Sequence, residues 1–211
     1  SFTYVPGTLT ITPVALTITA ENHTKIYGSA NSTLTVTYNG FVNGDNSTSL
    51  TTQPIITTIA DATSPVGIYP ILVSGAVNSN YTINYVPGAL AVIPANLAIA
   101  ADNKTKIYGE ANPSFTFTYT GFVNGDNEAD LTSLPVGATT ADASSPVGIY
   151  PITISGAASN NYTIGYTAGA TLAITPANLA IAADDKTKIY GEANPSFTFT
   201  YTGFVNGDNE A

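Results

Sequence analysis

The groups able to do chemistry in this chain are few. There is one histidine, His23, and five lysines, with 14 aspartates and glutamates. Cysteine, methionine and tryptophan are missing. Without a thiol there is no disulfide framework, thiolate metal site or cysteine nucleophile. Acid–base catalysis needs a group held by a partner near its working pKa. His23 is a poor candidate, because Lys104 and Lys186 stand at the equivalent positions of similar segments further along. A position that takes an imidazole once and an ammonium twice reads as a solvated strand end. No catalytic, cofactor-binding or metal site is assigned from the sequence.

Other residues repeat in a way that invites a role. Asn43-Gly44-Asp45-Asn46 recurs as Asn124-Gly125-Asp126-Asn127. Such oxygen-rich turns suggest calcium, but the carboxylate spacing and terminal glutamate of a helix–loop–helix site are absent. Asn-Gly also suits a tight turn that needs positive φ. Lys25, Lys106 and Lys188 each precede Ile-Tyr-Gly. They read as exposed lysines guarding an edge strand; the competing reading is an amide cross-link to an asparagine, which would require a buried amine and a nearby acid. Several of the 13 tyrosines, among them Tyr119, Tyr150 and Tyr162, continue apolar rows and read as core rings rather than sugar-stacking platforms. The Asn-x-Thr triplets at Asn80 and Asn161 would matter only in a host that glycosylates them.

These groups are positioned by a repeat. Tyr27-Gly28 returns as Tyr108-Gly109 and Tyr190-Gly191, at spacings of 81 and 82 residues. Ser64-Pro65-Val66-Gly67-Ile68-Tyr69-Pro70-Ile71 returns at 145–152. The one-residue difference falls between Tyr166 and Leu172, in a glycine-bearing turn that absorbs length cheaply. Residues 94–129 reappear as 176–211 with one change, Asn103 to Asp185. The expected organisation is therefore the closing end of one repeat (1–13), two whole repeats (14–94 and 95–176) and the opening part of another (177–211). Lacking counterparts of 130–176, the last part is expected to leave Phe197, Phe199 and Tyr201 facing water and to be disordered.

Within each repeat the apolar period is two. Leu97, Ile99 and Ala101 alternate with small or polar neighbours, as do Phe115, Phe117 and Tyr119, and Tyr162, Ile164 and Tyr166. This pattern predicts half-buried strands, about six per repeat, built from residues that suit a pleated surface. Only 126–134 could turn helically, with Asp126 or Asn127 as cap and acids in the first turn. The fold class is all-β, with at most one helical turn per repeat.

The Tyr-Gly pair, the Asn-Gly-Asp turn, the Pro-Val-Gly-Ile-Tyr-Pro-Ile segment and Asn80-Tyr81-Thr82-Ile83 together resemble the MBG domain of the YGX type. Tyr85-Val86-Pro87-Gly88-Ala89-Leu90 adds to the resemblance, which covers the whole chain; the second repeat departs only in its Thr167-Ala168-Gly169 turn. The resemblance implies β-grasp-like small domains in tandem, used as extracellular building blocks of large bacterial surface proteins and adhesins. An immunoglobulin-like β-sandwich is the alternative fold.

Charge and hydropathy limit the partners. The formal net charge is −9 with no arginine, which disfavours a phosphate backbone and excludes nucleic acid as the expected partner. No apolar run approaches the roughly 20 residues of a membrane-spanning helix. No signal peptide or anchor is read in these residues, so those of an exported parent would lie outside them. Pro94 and Pro176 join successive repeats without a glycine–serine linker, which predicts stiff, end-to-end connections. The expected function is a stalk or fibre segment on the bacterial cell surface, not an enzyme. Its expected partners are neighbouring repeats and other copies in a fibre. A multivalent glycan- or cell-binding module is the alternative.

Overall fold

A computed structural model describes residues 1–210 of the 211. The first repeat sequence forms β1 (Val14–Ala20), β2 (His23–Ile26), β3 (Val36–Asn39), β4 (Ile55–Thr58), β5 (Gly67–Ser74), β6 (Tyr81–Val86) and β7 (Gly88–Ile93). The second forms β8 (Ala95–Ala101), β9 (Lys104–Ile107), β10 (Phe117–Thr120), β11 (Val136–Thr139), β12 (Gly148–Ser155), β13 (Tyr162–Thr167) and β14 (Thr171–Thr175). β15 (Ala180–Ala183) and β16 (Phe199–Thr202) follow. The protein is all-β, with seven strands in each of the first two repeats where about six were expected.

By contacts the chain divides into two compact units. The first comprises Ser1–Asn96 with Phe122–Asp126 and Asn160–Thr163; the second comprises Leu97–Gly121, Asn127–Ser159 and Ile164–Ala211.

In the first unit, a three-stranded sheet of order β3-β1-β6 faces a four-stranded sheet of order β2-β7-β5-β4. β1 runs antiparallel to β3 and parallel to β6; β2 runs parallel to β7. The alternation decides which side chains face inward. Leu16 and Ile18 of β1 are fully buried and pack with Ile71 and Val73 of β5 and Leu90 of β7, while the intervening threonines turn away. Burying side chains of this size is worth about 1.5–3 kcal/mol each, and they hold the two sheets together.

In the second unit the sheet β11-β12-β14-β9 repeats this arrangement around Ile152, Leu172 and Ile174. A further sheet has the order β10-β8-β13. Where β6 and β7 are separated by Pro87 alone, β13 and β14 are separated by Ala168, Gly169 and Ala170. One of the two additional residues is the length difference and the other reflects β14 starting one matched position later than β7; Gly169 takes φ +115°.

Each of the first two repeats holds the single helical turn anticipated. Ser47–Ser49 and Glu128–Asp130 are 3₁₀ turns capped by Asn46 and Asn127. Asn127 accepts from the Ala129 N–H at 3.0 Å, and its own N–H donates to Asp130 at 2.8 Å, a reciprocal cap.

Within 177–210, where disorder was expected, two strands are paired. β15 pairs with β16 in the register of β8 with β10: Ala183 lies opposite Phe199 as Ala101 lies opposite Phe117. Near-identical sequence gives an identical ladder locally. Phe197 and Phe199 nevertheless remain exposed, as expected, and Tyr201 is half-buried against Phe204.

Candidate functional site

Two of the three lysines read as exposed edge guards are not exposed. Lys25 and Lys106 retain only 6% and 5% of their accessible surface. Their strands β2 and β9 are indeed sheet edges, but the alternation turns Lys25 inward and leaves Ile26 outside. Lys25 Nζ donates to the Ser29 carbonyl at 3.1 Å and to the Asp61 carbonyl. Lys106 Nζ donates to the Glu110 carbonyl at 2.9 Å and to the Asp142 carbonyl. The correction has a physical cause. The turn after the strand and a second turn 36 residues away aim backbone carbonyls at one point, and an ammonium satisfies several acceptors there. Lys188 is exposed, and its Nζ donates to the Glu192 carbonyl at 3.4 Å.

The surroundings of Lys25 bear on the cross-link reading. Asn31 Nδ2 donates to the Ala60 carbonyl at 2.6 Å, and Asn31 Oδ1 is buried with no hydrogen-bond partner among the described residues. The Asp61 carboxylate is occupied elsewhere, accepting from Thr63 N and Oγ1 at 2.9 and 2.8 Å. It offers the lysine its carbonyl, not the acid that amide exchange requires. The arrangement is that of a structural cation binding two turns together.

His23 lies at the start of β2, with Nε2 3.1 Å from Thr35 Oγ1 and Nδ1 3.5 Å from Ser32 Oγ. Thr35 Oγ1 in turn donates to the Glu21 carboxylate. Lys104 occupies the matching start of β9. Tyr150 packs against the second core, as its apolar row predicted.

The Asn-Gly-Asp turns take the tight form. Asn43 and Gly44 have φ of +58° and +83°, and Asp45 N donates to the Val42 carbonyl at 3.0 Å. Both central residues at positive φ define the type I′ geometry that Asn-Gly favours. The oxygens already serve the protein: Tyr81 donates to Asp45 Oδ2 at 2.7 Å, and Asn46 Oδ1 accepts from Thr48 at 2.9 Å. Among the described residues, no three His, Cys, Asp or Glu side chains gather as a metal set.

Sequence reasoning missed what the Tyr-Gly pair touches. Inside the first compact unit, Tyr27 is buried and its hydroxyl donates to Asp126 Oδ2 at 3.0 Å. Tyr162 donates to the same oxygen at 2.7 Å. The two rings meet edge to face, with centroids 5.6 Å apart. Burial, with the Asp126 carboxylate adding to it, pushes the Tyr162 hydroxyl up to about 12. A Cβ on Gly28 would stand 2.4 Å from Val123 Cγ2, so the adjoining position admits only glycine without a shift. Asn124 Nδ2 donates to the Ala62 carbonyl at 3.3 Å, and Val66 N donates to Asn161 Oδ1 at 3.1 Å. The Asn161 side chain of the second Asn-x-Thr triplet is thereby engaged.

The second compact unit contains the same contact one repeat later. A Cβ on Gly109 would lie 2.7 Å from Val205 Cγ2, and Asn206 Nδ2 donates to the Ala143 carbonyl at 3.0 Å. Tyr108, Val147, Val205 and Asp208 line one cavity there. The available signal was recurrence: Tyr-Gly and Asn-Gly-Asp return together in every copy, each a turn with positive φ.

Fold and contacts define a class: an all-β tandem-repeat module in which the Tyr-Gly turn of one repeat sequence seats the Asn-Gly-Asp turn of the next. The chain belongs to the MBG domain (YGX type) family, whose profile matches residues 16–91, 97–172 and 179–211. Repeats of this family occur in bacterial surface proteins and are non-enzymatic modules. No curated protein matches the chain. A solved structure, that of Yersinia pseudotuberculosis InvD, is similar at 17% identity and a TM-score of 0.25, over 85% of this chain and 65% of that one. The chain thus spans under two thirds of that structure's length.

Proposed function

We propose that this chain is a stalk or fibre segment of a large, extracellular, adhesin-type protein on the bacterial cell surface. Its whole repeats would be 14–94 and 95–176, flanked by parts of further repeats at 1–13 and 177–211. The observation that carries the reading is the Tyr27–Asp126 hydrogen bond, which ties residues 99 positions apart through motifs present in every copy. A buried phenol–carboxylate contact beside a glycine-only approach suits transmission of load from one repeat to the next. The connections through Pro94 and Pro176 support a stiff array, and the acidic balance supports solubility and low lateral adhesion.

Small-angle scattering on residues 14–176 tests the mechanical part. A maximum dimension near twice that of one repeat is expected, and a compact particle would overturn the stiff array. A glycan array tests the functional part, comparing one repeat with the whole chain. Silence is expected; signal rising steeply with repeat number would replace the stalk with a multivalent binding module.

A further inference from the structure

The surface that receives Tyr27-Gly28 exists twice in the first compact unit, and only one copy is filled. The filled copy consists of Val123, Asn124, Asp126, Asn161 and Tyr162, which meet Tyr27, Gly28, Ala62 and Val66. The other consists of their counterparts Val42, Asn43, Asp45, Asn80 and Tyr81, which border a cavity of about 290 Å³. Val42 is 40% exposed, whereas Val123 is partly covered. Both faces are built alike. Tyr81 donates to Asp45 Oδ2 at 2.7 Å as Tyr162 does to Asp126, and the Val42 N–H donates to the Tyr81 hydroxyl at 3.1 Å as Val123 does to Tyr162 at 3.0 Å.

We infer that the Val42–Asn43–Asp45–Tyr81 face is a docking site for the Tyr-Gly turn of another copy of this repeat. The chemistry it asks for is specific. Asp45 Oδ2 takes a phenol donor where Asp126 Oδ2 already holds two. Val42 requires a residue without Cβ above it. Asn43 Nδ2 takes a backbone carbonyl, and Asn80 Oδ1 takes a backbone N–H. Tyr27, Gly28, Ala62 and Val66 supply these four features at the filled face. An unfilled Tyr-Gly turn is also present: Tyr190 is fully exposed, and a Cβ on Gly191 would meet nothing within 4 Å. The connector is thus homotypic and directional, one surface of a repeat reading a different surface of the next, a head-to-tail contact rather than a self-complementary one.

The absence of cysteine allows a direct test. Val42→Cys is labelled with a thiol reagent in the full chain and in a longer chain carrying residues 14–81 joined ahead of Ser1. With 1–13, those residues complete one more repeat in register. Labelling is expected to slow at least tenfold on extension and to approach the rate of Val123→Cys. Gly28→Asn in the added copy should restore the original rate, because asparagine tolerates positive φ and the change tests the Cβ clash rather than the turn. A rate unmoved by extension, or protection that survives Gly28→Asn, overturns the proposal. Amide hydrogen exchange at residues 42–45 of the unsubstituted chains gives the same comparison should the cysteine variant fold poorly. The inference rests on the tandem-repeat reading but fails separately from it, since labelling at residue 42 reads this one contact and the glycan array does not.

Discussion

Tyr27 and Asp126 lie 99 residues apart in sequence and 3.0 Å apart in space. Asp126 Oδ2 is shared by the buried hydroxyls of Tyr27 and Tyr162, so the carboxylate satisfies two donors that water cannot easily reach. A hydrogen bond to a charged group contributes about 1.5–3 kcal/mol net, and an orphaned buried donor costs about 1–3 kcal/mol. Asp126→Ala should therefore destabilise by about 2–4 kcal/mol, and Tyr27→Phe by less. Because the residues touch, the double variant should be non-additive by about 1 kcal/mol or more. Denaturant unfolding of the four proteins checks this, and additivity within error would deny the contact any energetic role.

At Lys25 the expected cost comes from what the side chain leaves behind. Lys25→Ala strands the Ser29 and Asp61 carbonyls and opens a void, so a loss of about 2–4 kcal/mol is expected. Lys188→Ala touches an exposed side chain and should stay within about 0.5 kcal/mol. Thermal melts rank the two. The intact mass should equal the sequence mass, whereas loss of one ammonia per repeat would establish a lysine–asparagine cross-link in place of the carbonyl cage.

The strand pattern was legible because period-two alternation is local: Leu16 and Ile18 inward with threonines outward follows from the order of residues alone. The one-turn 3₁₀ segment was legible for the same reason, since Asn127 and Asp130 cap each other within three residues. Lys25 was not. Alternation fixes only which face a side chain takes, and an ammonium on the inner face needs the carbonyl of Asp61, supplied by a turn 36 residues on. The Tyr-Gly pair was recognisable as a repeated signature, but its acceptor belongs to the following repeat sequence. No local rule links Tyr27 to Asp126.

Acid should weaken the fold through aspartates that cap turns and strand ends. The Thr63 hydroxyl beside Asp61 and the Ser144 hydroxyl beside Asp142 hold those carboxyls below the ordinary value of 3.8. Thr116 and Thr118 do the same to Asp102, as Thr198 and Thr200 do to Asp184. A group whose pKa is lower when folded binds its proton more tightly in the unfolded chain. Its contribution is therefore present above about pH 4 and disappears as pH falls through the lowered folded values. Melting temperature should be level from neutral pH down to about 5 and decline below 4. A profile that rises on acidification would contradict these assignments.

Alkali should act through Tyr162. Its hydroxyl is raised from 10.0 to about 12 by burial first, so the folded state keeps a proton that the unfolded chain gives up near pH 10. The contribution is complete below pH 10 and lost as pH climbs towards 12. Burial also raises Tyr38 and Tyr119, so tyrosinate absorbance should show several late-titrating phenols, of which Tyr162→Phe removes one, and that variant's stability should depend less on pH above 10. Early titration of all phenols in the folded protein would mean that Tyr162 is not held buried against Asp126 and Tyr27.

The β15–β16 ladder offers the sharpest test of what a repeat needs in order to persist. It has the register of β8–β10, yet it is a sheet of two strands where β8 also pairs with β13. Every side chain of β15 is exposed, whereas Leu97 and Ile99 of β8 are almost completely buried. A lone two-stranded ladder is marginal in water, because its hydrogen bonds are not shielded by a packed face. Phe197 and Phe199 add exposed aromatic area in place of burial. Amide exchange in Phe199–Thr202 should therefore be at least a hundredfold faster than in Phe117–Thr120, although the two tetrapeptides are identical in sequence and register. Identical sequence removes intrinsic exchange chemistry as an explanation, leaving packing as the variable. Equal protection of the two strands would show that the first strand, the Tyr-Gly turn and the Asn-Gly-Asp turn stabilise themselves. The core around Ile152 and Leu172 would then not be what holds a repeat together.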